Sequence, residues 1–496
     1  MTDTLIPLLP AVQTFLAREQ KLLIGGEWQP AASGETFATL NPATGQVLTR
    51  CAAANAADAD RAIAAARTAF PAWAALMPAQ RERLLHRFAD LMEAHREELA
   101  QLETLDNGKP FTVAFNVEVN VAIGQMRFYA GLPTKITGET YPVSSPGFLV
   151  YTRREPVGVC AAITPWNYSL VMATQKIGPA LAAGNTLVLK PAEQTPLTAI
   201  RLGELALEAG IPPGVFNIIT GFGETAGAAL TGHPDVDKVA FTGSTEVGKA
   251  IARAAAGNLK HVSLELGGKS PLIIFEDADI PTASEAAIWA IFANSGQNCV
   301  AGSRLFVQAK VYEQVLAALA EKSRALRVGS GLDRASQLGP LISETQLERV
   351  MGYIRSGASH GARLVAGGSR IGGALADGYF LEPTIFADVR DEMRIASEEI
   401  FGPVLSVLPF ENEDEVIRRA NATRFGLAAG VWTNHLGRAH RMAAGLKAGV
   451  VWINTYDWFD PSVPFGGMGE SGYGRELGAD VMELYTELKS VWVKID

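Results

Sequence analysis

Short apolar segments alternate with longer segments of helical character from Pro156 onward, and this alternation limits the fold more than any other feature. Four apolar runs, at residues 157–163, 186–189, 216–219 and 238–241, show little polar alternation, which is typical of parallel strands with both faces buried. Each run ends in Gly, Pro, Thr or Ser before the next helical stretch, such as residues 196–209. The order strand, helix, strand predicts a doubly wound α/β sheet.

A second α/β pattern follows Gly267. Its predicted strands are residues 271–275, 304–307 and 450–454, and its predicted helices lie near 311–327, 344–360 and 413–420. Residues 56–106, before the first sheet, are predicted to be helical. Residues 137–155 and 488–495 alternate polar and apolar side chains like two isolated ribbons. Because a lone hairpin is marginally stable in water, we expect an oligomer interface to cover them.

The composition excludes several classes of protein. A chain of 496 residues is too long for one core, because single cores stop growing at roughly 250–300 residues. The net charge of −9 disfavours a nucleic acid partner. No window holds eighteen uninterrupted apolar residues, so we expect no membrane span. The apolar stretch at 5–10 contains two prolines and follows no basic residue, unlike a secretory signal.

The cysteines favour a reducing compartment. There are three, Cys51, Cys160 and Cys299, and none belongs to a CxxC pair. This number and spacing disfavour a disulfide framework and a structural zinc site. We therefore expect a cytoplasmic protein without a bound metal.

Cys299 lies in the small polar turn NSGQNC at 294–299, between a predicted helix and the predicted strand at 304–307. Such a turn gives a thiol access to substrate and places backbone N–H groups nearby, which favour the thiolate. The other interpretation is a buried structural cysteine, the more frequent role of a free cysteine. Cys160, inside an apolar strand, and Cys51 are interpreted as structural. No histidine lies near Cys299 in sequence, so a Cys–His hydrolase has no support.

Glu265 is a carboxylate within the apolar strand pattern HVSLELGG at 261–268. Partly apolar surroundings raise the pKa of a carboxyl group, which suits a general base near neutral pH. The alternative is a glutamate at the end of a strand that faces solvent. The residue alone leaves both interpretations open.

The turn FTGSTEVG at 241–248 joins a predicted strand to a predicted helix. Ser244 can cap this helix, and the exposed N–H groups with the helix dipole favour a phosphate. The sequence Gly221-Phe222-Gly223, followed by Gly227, also fits an ordinary turn. These residues are therefore compatible with nucleotide binding and do not establish it.

Seven motifs occur in an order that resembles the aldehyde dehydrogenase superfamily, specifically its hydrolytic NAD-dependent branch. They are TPWN at 164–167, KPAE at 190–193, FTGSTEVG at 241–248, LELGGK at 264–269, GQNC at 296–299, EIFGP at 399–403 and PFGG at 464–467. The resemblance covers nearly the whole chain, from IGGEW at 24–28 to the C-terminal strand. It implies a Rossmann-like NAD-binding domain (1–137 and 157–267), an α/β catalytic domain (268–479) and a small β oligomerisation element (138–156 and 480–496).

The resemblance also implies the reaction. Cys299 would attack the aldehyde carbon, while the amide of Asn167 and the backbone N–H of Cys299 would hold the oxyanion. Hydride would pass to NAD, and Glu265 would activate the water that hydrolyses the thioester. Lys176 and Glu476 match a pair thought to relay protons from Glu265.

NAD contacts are implied in the same way. Lys190 and Glu193 would bind the adenosine ribose, the 243–248 turn the pyrophosphate and Glu399 the nicotinamide ribose, with Phe401 beside the nicotinamide. Because the charge of Glu193 would repel a 2′-phosphate, we expect a preference for NAD over NADP. The full set of expected contacts is Ile163, Thr164, Pro165, Trp166, Lys190, Glu193, Gly223, Phe241, Gly243, Ser244, Val247, Glu265, Leu266, Gly267, Glu399 and Phe401.

The substrate pocket is predicted from the same resemblance. Gln175 and Ala293 are smaller than the aromatic residues frequent at these positions, and Asn298 stands where many relatives have Cys, Val or Ile. A wide, ring-lined tunnel favours bulky or aromatic aldehydes. The alternative is a betaine-aldehyde or ω-aminoaldehyde dehydrogenase, because aromatic rings attract quaternary ammonium and Asp457 and Asp460 could add negative charge. The expected lining is Tyr168, Met172, Gln175, Ala293, Asn298, Val300, Tyr456, Trp458, Phe459 and Phe465.

Two rival functions remain for comparison. A CoA-acylating relative would generally lack the base at Glu265, and a catalytically silent structural protein on the same scaffold would be recognised by loss of Cys299 or Asn167. All three residues are present. The expected partners are a small aldehyde and further copies of the chain, a tetramer rather than a dimer, with no nucleic acid and no membrane.

Overall fold

The computed structural model describes residues 5–495. It contains two large β-sheets with helices packed against them, a three-stranded sheet and a two-stranded ribbon. Apolar strands flanked by helices predict this α/β architecture, and the structure confirms it.

The first sheet has five parallel strands at its centre, four of them predicted from the sequence. Leu22–Ile24 and Glu27–Gln29 extend one edge antiparallel, and Gly472–Tyr473 pairs antiparallel with the opposite edge. The chain thus returns to this sheet shortly before its last strand. The sheet order is Gly472–Tyr473, His261–Glu265, Lys238–Thr242, Val159–Ile163, Thr186–Lys190, Phe216–Ile218, Leu22–Ile24 and Glu27–Gln29.

The second sheet is parallel except at the edge strand Arg363–Ala366, which pairs antiparallel with Thr384–Ala387. Its central strands are fully buried because helices cover both faces. The order is Arg363–Ala366, Thr384–Ala387, Val404–Phe410, Arg304–Gln308, Pro271–Ile274, Ala428–Trp432 and Val450–Ile453.

The third sheet joins the two predicted ribbons. Thr486–Lys494 pairs antiparallel with Phe148–Pro156, which also pairs with Thr140–Tyr141. Thr36–Leu40 and Val47–Ala52 form the separate two-stranded ribbon. The third sheet therefore links two segments that lie far apart in sequence.

The helices fill the space between and around the sheets. The predicted helical region before the first sheet consists of Ala56–Ala75, Pro78–Ala94 and Arg96–Asn107, followed by the π-helix Ala114–Glu118. The other α-helices are Pro10–Leu16, Phe111–Val113, Val119–Ala130, Ser169–Ala183, Leu197–Glu208, Ala228–Gly232, Thr245–Ala255, Ile280–Phe292, Tyr312–Ala325, Glu344–Ser359, Arg394–Ser397, Glu413–Ala420 and Leu436–Gly445. No helix within residues 5–495 is both long and apolar enough to cross a membrane.

Candidate active site

The loop that carries Cys299 is held in an unusual backbone conformation. It follows the apolar helix Ile280–Phe292, and Asn294 and Gly296 have φ values of 49° and 71°. A Cβ atom on Gly296 would lie 2.1 Å from the carbonyl oxygen of Gly402, so only glycine fits there. The tight turn leaves Cys299 half-buried, as a nucleophile that meets substrate requires.

The surroundings of Cys299 keep its thiol protonated. Burial raises its pKa, and the negative charges of Glu399, Glu265 and Asp457 raise it further. A backbone hydrogen bond of Val300 lowers the pKa of the thiol, as the sequence predicts for nearby N–H groups, but the loss of hydration and the three carboxylates outweigh it. Because these charges raise the pKa of the thiol, Glu265 and Glu399 must lie close to it.

The other two cysteines are buried, as their structural interpretation requires. Cys51 lies in the two-stranded ribbon, and Cys160 lies in a central strand of the first sheet. Burial raises the pKa of the Cys160 thiol to about 12. Neither thiol is accessible to a substrate.

Asn167 reaches the loop of Cys299 from the first sheet. It lies in the turn after the strand Val159–Ile163, and its side chain is buried. Its Nδ2 donates to the carbonyl oxygen of Gln297 at 2.9 Å. Gln297 precedes Cys299 by two residues in the chain, so the Asn167 amide lies at the loop of the thiol. There it can also donate a hydrogen bond to an oxygen of a bound substrate.

Glu265 is the last residue of its strand and is buried, so the alternative of a solvent-facing glutamate is wrong. Its Oε2 accepts no hydrogen bond within the described residues. Burial and the charge of Glu476 raise its pKa well above the usual value, while Lys176 and Arg475 oppose this effect. The raised pKa agrees with the prediction from the sequence and suits a general base.

Lys176 and Glu476 form a buried ion pair behind Glu265. Glu476 is fixed by two backbone hydrogen bonds of 2.7 Å with Phe465. The pair lies at the contact between the helix Ser169–Ala183 and the segment that returns to the first sheet. Its side chains are close enough to Glu265 to shift its pKa, as a proton relay would require.

Most of the predicted cofactor contacts meet at one edge of the first sheet. Residues 163–166, 190–193, 241–247 and 265–267 follow or end four neighbouring parallel strands. The carboxyl edge of a parallel sheet is the usual position of a dinucleotide. Gly223 is exposed and begins the π-helix Gly223–Gly227 after a fifth strand.

Two groups at this edge suit a nucleotide. The buried Lys190 Nζ lies 3.6 Å from Oε2 of the half-buried Glu193. Ser244 caps the helix Thr245–Ala255 by accepting a hydrogen bond from the N–H of Val247 at 3.3 Å. This cap was predicted, and it leaves other N–H groups at the helix start for an anion.

Glu399 and Phe401, from the segment before the strand Val404–Phe410, contact the same edge of the first sheet. Glu399 Oε1 accepts a hydrogen bond of 2.9 Å from the backbone N–H of Gly268, and a Cβ atom on Gly267 would lie 2.2 Å from its other oxygen. Loss of hydration raises the pKa of Glu399 to about 7. The ring of Phe401 packs edge to face against Trp166, with centroids 5.2 Å apart.

A chain of aromatic rings leads away from the thiol. Tyr456 donates from its hydroxyl to the carbonyl oxygen of Val300 at 2.7 Å. Trp452 lies 4.7 Å from the Tyr456 ring and 5.6 Å from the Phe459 ring, which lies 5.3 Å from Phe465. Four of these five residues were predicted to line the pocket. Trp452 was not predicted, because it lies in a strand and belongs to no motif.

The remaining predicted pocket residues differ in exposure. Trp458 is 74% exposed, which is compatible with a position at the mouth of the predicted tunnel. Gln175 is buried in the helix Ser169–Ala183. Tyr168, Met172 and Ala293 are half-buried, and loss of hydration and the charge of Asp457 raise the pKa of Tyr168.

An open cavity of about 240 Å³ adjoins Phe459. Its opposite wall is the helix Val119–Ala130, where Gly124 faces Pro461 and Gln125 accepts a hydrogen bond from Thr174 at 2.7 Å. This wall was not predicted, because the helix contains none of the seven motifs. The lining is Asn120, Val121, Gly124, Gln125, Phe459, Asp460, Pro461 and Leu477.

Asn298 and Asp457 form a pair beside the thiol. Asn298 Nδ2 donates to Asp457 Oδ2 at 3.2 Å, and its Oδ1 lies 3.9 Å from the Sγ of Cys299. Loss of hydration raises the pKa of Asp457 to about 6. Asp457 is therefore ionised above that pH and places a negative charge near the aldehyde site. Within residues 5–495, no cluster of three or more His, Cys, Asp or Glu side chains could hold a metal ion.

Comparison with known proteins gives one consistent family. Residues 28–491 match the sequence pattern described as the aldehyde dehydrogenase family. The chain is 50% identical over 474 residues to a mitochondrial aldehyde dehydrogenase of Leishmania tarentolae, which covers 95% of this chain and 94% of that protein.

Two solved structures superpose on nearly the whole chain. The NAD+ complex of an aldehyde dehydrogenase from Bacillus cereus has a TM-score of 0.97 and 52% identity, covering 99% of this chain and 100% of that one. A mutant indole-3-acetaldehyde dehydrogenase from P. syringae, in complex with NAD+ and IAA, has a TM-score of 0.94 and 47% identity, covering 96% of each chain.

Proposed function

The chain belongs to the aldehyde dehydrogenase family, and from this premise we propose that it oxidises a bulky or aromatic aldehyde to the carboxylic acid with NAD, through a thioester on Cys299. One observation carries the mechanism: Asn167, after one strand of the first sheet, and Glu265, at the end of another parallel strand of that sheet, both lie at the loop of Cys299. A nucleophile, an amide donor and a base at one point are what acyl formation and hydrolysis need.

NAD is the cofactor, and the residues at the sheet edge fit it. Lys190 and Glu193 offer a cation and a carboxylate suited to ribose hydroxyls, and the helix start at Ser244 suits the pyrophosphate. Glu399 has one oxygen bound to a backbone N–H, which fixes the carboxylate, and its other oxygen would accept a hydrogen bond from the hydroxyls of the nicotinamide ribose. When bound, NAD accepts the hydride from the Cys299 adduct of the aldehyde.

The first half of the reaction depends on Cys299 and Asn167. The Cys299 thiol gives its proton to the buried carboxylate of Glu265, from which Lys176 and Glu476 can carry it away. The sulfur then forms a bond to the aldehyde carbon, and the carbonyl π electrons move to the aldehyde oxygen, which becomes an oxyanion. One N–H of the Asn167 amide is already bound to Gln297, so the second N–H is free for the oxyanion. The backbone N–H of Cys299 is the second donor, and each such donor contributes about 3–4 kcal/mol to the transition state.

The second half depends on Glu265. Its buried carboxylate takes a proton from water, and the hydroxide attacks the thioester carbon to release the acid. Lys176 and Glu476 then carry that proton away from the base. The presence of Glu265 supports hydrolysis over transfer to CoA, and the presence of Cys299 and Asn167 opposes a catalytically silent scaffold.

The wider organisation is also proposed. The first sheet belongs to an NAD-binding domain (1–137 and 157–267), the second to a catalytic domain (268–479), and the third to an oligomerisation element (138–156 and 480–496). Phe148, Leu149, Leu488 and Trp492 are exposed on the third sheet, and burying them between copies supports a homotetramer. The three free cysteines favour a cytoplasmic location.

The ring-lined cavity supports a bulky or aromatic substrate. Phe459 joins the cavity of about 240 Å³ to the rings of Phe465, Trp452 and Tyr456, and a volume of this size accepts a ring that acetaldehyde lacks. The P. syringae neighbour is named for indole-3-acetaldehyde, which carries an aromatic bicycle. Both observations favour a substrate with an aromatic group behind its carbonyl.

Asp457 favours a second candidate, a betaine aldehyde or an ω-aminoaldehyde. Its carboxylate is held by Asn298 beside the thiol and has a pKa of about 6, so it is ionised at neutral pH and attracts a cation. The buried Gln175 counts against this candidate, because a cage for quaternary ammonium prefers a ring there. Relative kcat/KM for phenylacetaldehyde, betaine aldehyde and acetaldehyde separates the two, and a tenfold advantage for betaine aldehyde would reverse the choice.

The thioester is tested with Glu265→Gln. This variant keeps the shape of the side chain and removes the base, so we expect an acyl adduct on Cys299 after one turnover, detected by mass spectrometry of the quenched protein. Cys299→Ala is the control, which should bind NAD and form neither adduct nor NADH. Normal steady-state turnover of Glu265→Gln without an adduct would remove Glu265 from its role.

A further inference from the structure

The backbone carbonyl of Asn167 receives three side-chain donors. Lys109 Nζ and Asn294 Nδ2 each donate to it at 2.9 Å, and Asn107 Nδ2 donates at 3.3 Å. Asn107 also donates to the carbonyl oxygen of Trp166 at 2.7 Å. A carbonyl oxygen has two lone pairs, so this oxygen is fully occupied, and the turn after the first strand is fixed from three directions.

Lys109 is the charged member of this set, and it is fully buried. Its ammonium also donates to Glu103 Oε1 at 2.9 Å and to both oxygens of Glu118 at 2.6 and 2.7 Å. Glu118 ends the π-helix Ala114–Glu118, a type of irregularity often associated with functional sites. The ammonium lies 4.7 Å from the centre of the Tyr168 ring, next to Asn167 in sequence.

The arrangement fixes Asn167 at both ends. The three donors hold its main-chain carbonyl, and the carbonyl of Gln297 holds one N–H of its side-chain amide. The second N–H of the amide therefore points in one defined direction. Glu103 and Glu118 already compensate the positive charge of Lys109. The hydrogen bond from Lys109 to the Asn167 carbonyl is therefore not needed for charge compensation and is an additional feature of the site.

We propose that Lys109 is a positioning residue that aims the Asn167 amide at the oxyanion, with Asn294 and Asn107 completing a cradle around the Asn167 carbonyl. This inference rests on the proposed role of Asn167. Lys109 touches neither substrate nor thiol and acts only through the asparagine. Its removal leaves the amide donor present and loosely aimed, and a displacement of about 1 Å at a reacting group costs on the order of a hundredfold in rate.

A double-mutant cycle tests the proposal through the pre-steady-state burst of NADH, which reports the steps before hydrolysis. Asn167→Ala should slow the burst by ~10²–10³-fold. Lys109→Met, which keeps the length of the side chain, should slow it by at least roughly tenfold. In the Asn167→Ala background, Lys109→Met should change the burst less than about twofold, because coupled residues are not additive. The aldehyde KM should move much less than the burst.

Lys260→Met is the matched control. Lys260 is also a buried lysine that donates to backbone carbonyls, of Thr231 at 2.9 Å and His233 at 2.6 Å, in a region away from the thiol. This variant should leave the burst within about twofold of the parent. A similar loss in both lysine variants would mean that any buried lysine is needed for the fold, and the proposal would be overturned.

Asn294→Gly repeats the cycle if Lys109→Met does not fold. Glycine tolerates the φ of 49° and removes the amide that donates to the carbonyl oxygens of Asn167 at 2.9 Å and Gln297 at 3.4 Å. Both contacts hold Asn167, directly or through Gln297, so the effect of Asn294→Gly should also disappear in the Asn167→Ala background. Additive effects of either variant with Asn167→Ala would refute positioning. A normal burst in Asn167→Ala alone would instead refute the oxyanion role itself, which separates the two failures.

Discussion

Replacement of Gly124 by leucine should narrow the substrate range. Gly124 lies in the interior of the helix Val119–Ala130, where glycine costs roughly 1 kcal/mol relative to alanine. A Cβ atom there would meet only Pro461 Cγ, at 3.9 Å. The glycine therefore keeps open the cavity of about 240 Å³ beside Phe459, and a leucine side chain would occupy that space.

The size of the effect follows from the apolar surface that a substrate can bury. The six ring carbons that distinguish phenylacetaldehyde from acetaldehyde are worth up to about 5 kcal/mol at roughly 0.8 kcal/mol per buried carbon. The cavity is open on one side, so about half of this is available, which corresponds to roughly 30- to 150-fold in kcat/KM. Gly124→Leu should lower kcat/KM for phenylacetaldehyde by at least about tenfold and change kcat/KM for acetaldehyde by less than about twofold.

The assay is kcat/KM for both aldehydes from NADH formation at saturating NAD. Gly352→Leu is the matched control: Gly352 is also half-buried within a helix, Glu344–Ser359, and its Cβ would meet only Arg355 at 3.9 Å. Both variants gain helix propensity, and only one is expected to lose the aromatic substrate. Equal loss for the two aldehydes, or unchanged kcat/KM for phenylacetaldehyde, would show that the cavity is not on the path of the substrate.

Three further perturbations test other parts of the site. Glu193→Ser should reduce the ratio of kcat/KM for NAD to that for NADP by about tenfold, because it removes a carboxylate that repels a 2′-phosphate. An unchanged ratio would mean that other residues determine the cofactor preference. Glu476→Gln removes a charge that raises the pKa of Glu265, so the acidic limb of the pH profile of thioester hydrolysis should move to lower pH, and a move to higher pH would contradict the assignment. Trp492→Lys places a charge on the third sheet at a residue that is 58% exposed, and sedimentation velocity should then detect smaller species, whereas unchanged assembly would exclude this face.

The central strands could be predicted because their signal is local. Residues 157–163 and 238–241 are continuous apolar runs bounded by residues that end strands, and burial on both faces demands that composition. The edge strands Leu22–Ile24 and Gly472–Tyr473 were not predicted. They have three and two residues, too few for periodicity, and they become strands only because the edge of a finished sheet offers hydrogen-bonding partners.

In the candidate site, too, the features with a local cause could be predicted and those with a long-range cause could not. The cap at Ser244 follows from neighbouring residues in the chain, and this prediction is confirmed. The residues around Glu265 left both a buried base and a solvent-facing glutamate open, and only the tertiary structure shows that Glu265 is buried. The pKa of Cys299 depends on burial and on carboxylates more than 30 residues away in sequence. The local turn could predict only the smaller, opposing effect of the backbone N–H. The role of Lys109 could not be predicted either, because its partner in the site is 58 residues distant.

The carboxylates around Cys299 give its resting state a physical meaning. Asp457 and Glu399 have pKa values of about 6 and 7, so both are largely ionised at mildly alkaline pH and oppose a third negative charge on sulfur. A thiol held protonated reacts slowly with oxidants, because the thiolate is the reactive form. The same carboxylates attract positive charge into the cleft, and a cation placed between them lowers the thiol pKa. A positive charge bound beside Asp457 and Glu399 would therefore favour the thiolate of Cys299 over its thiol.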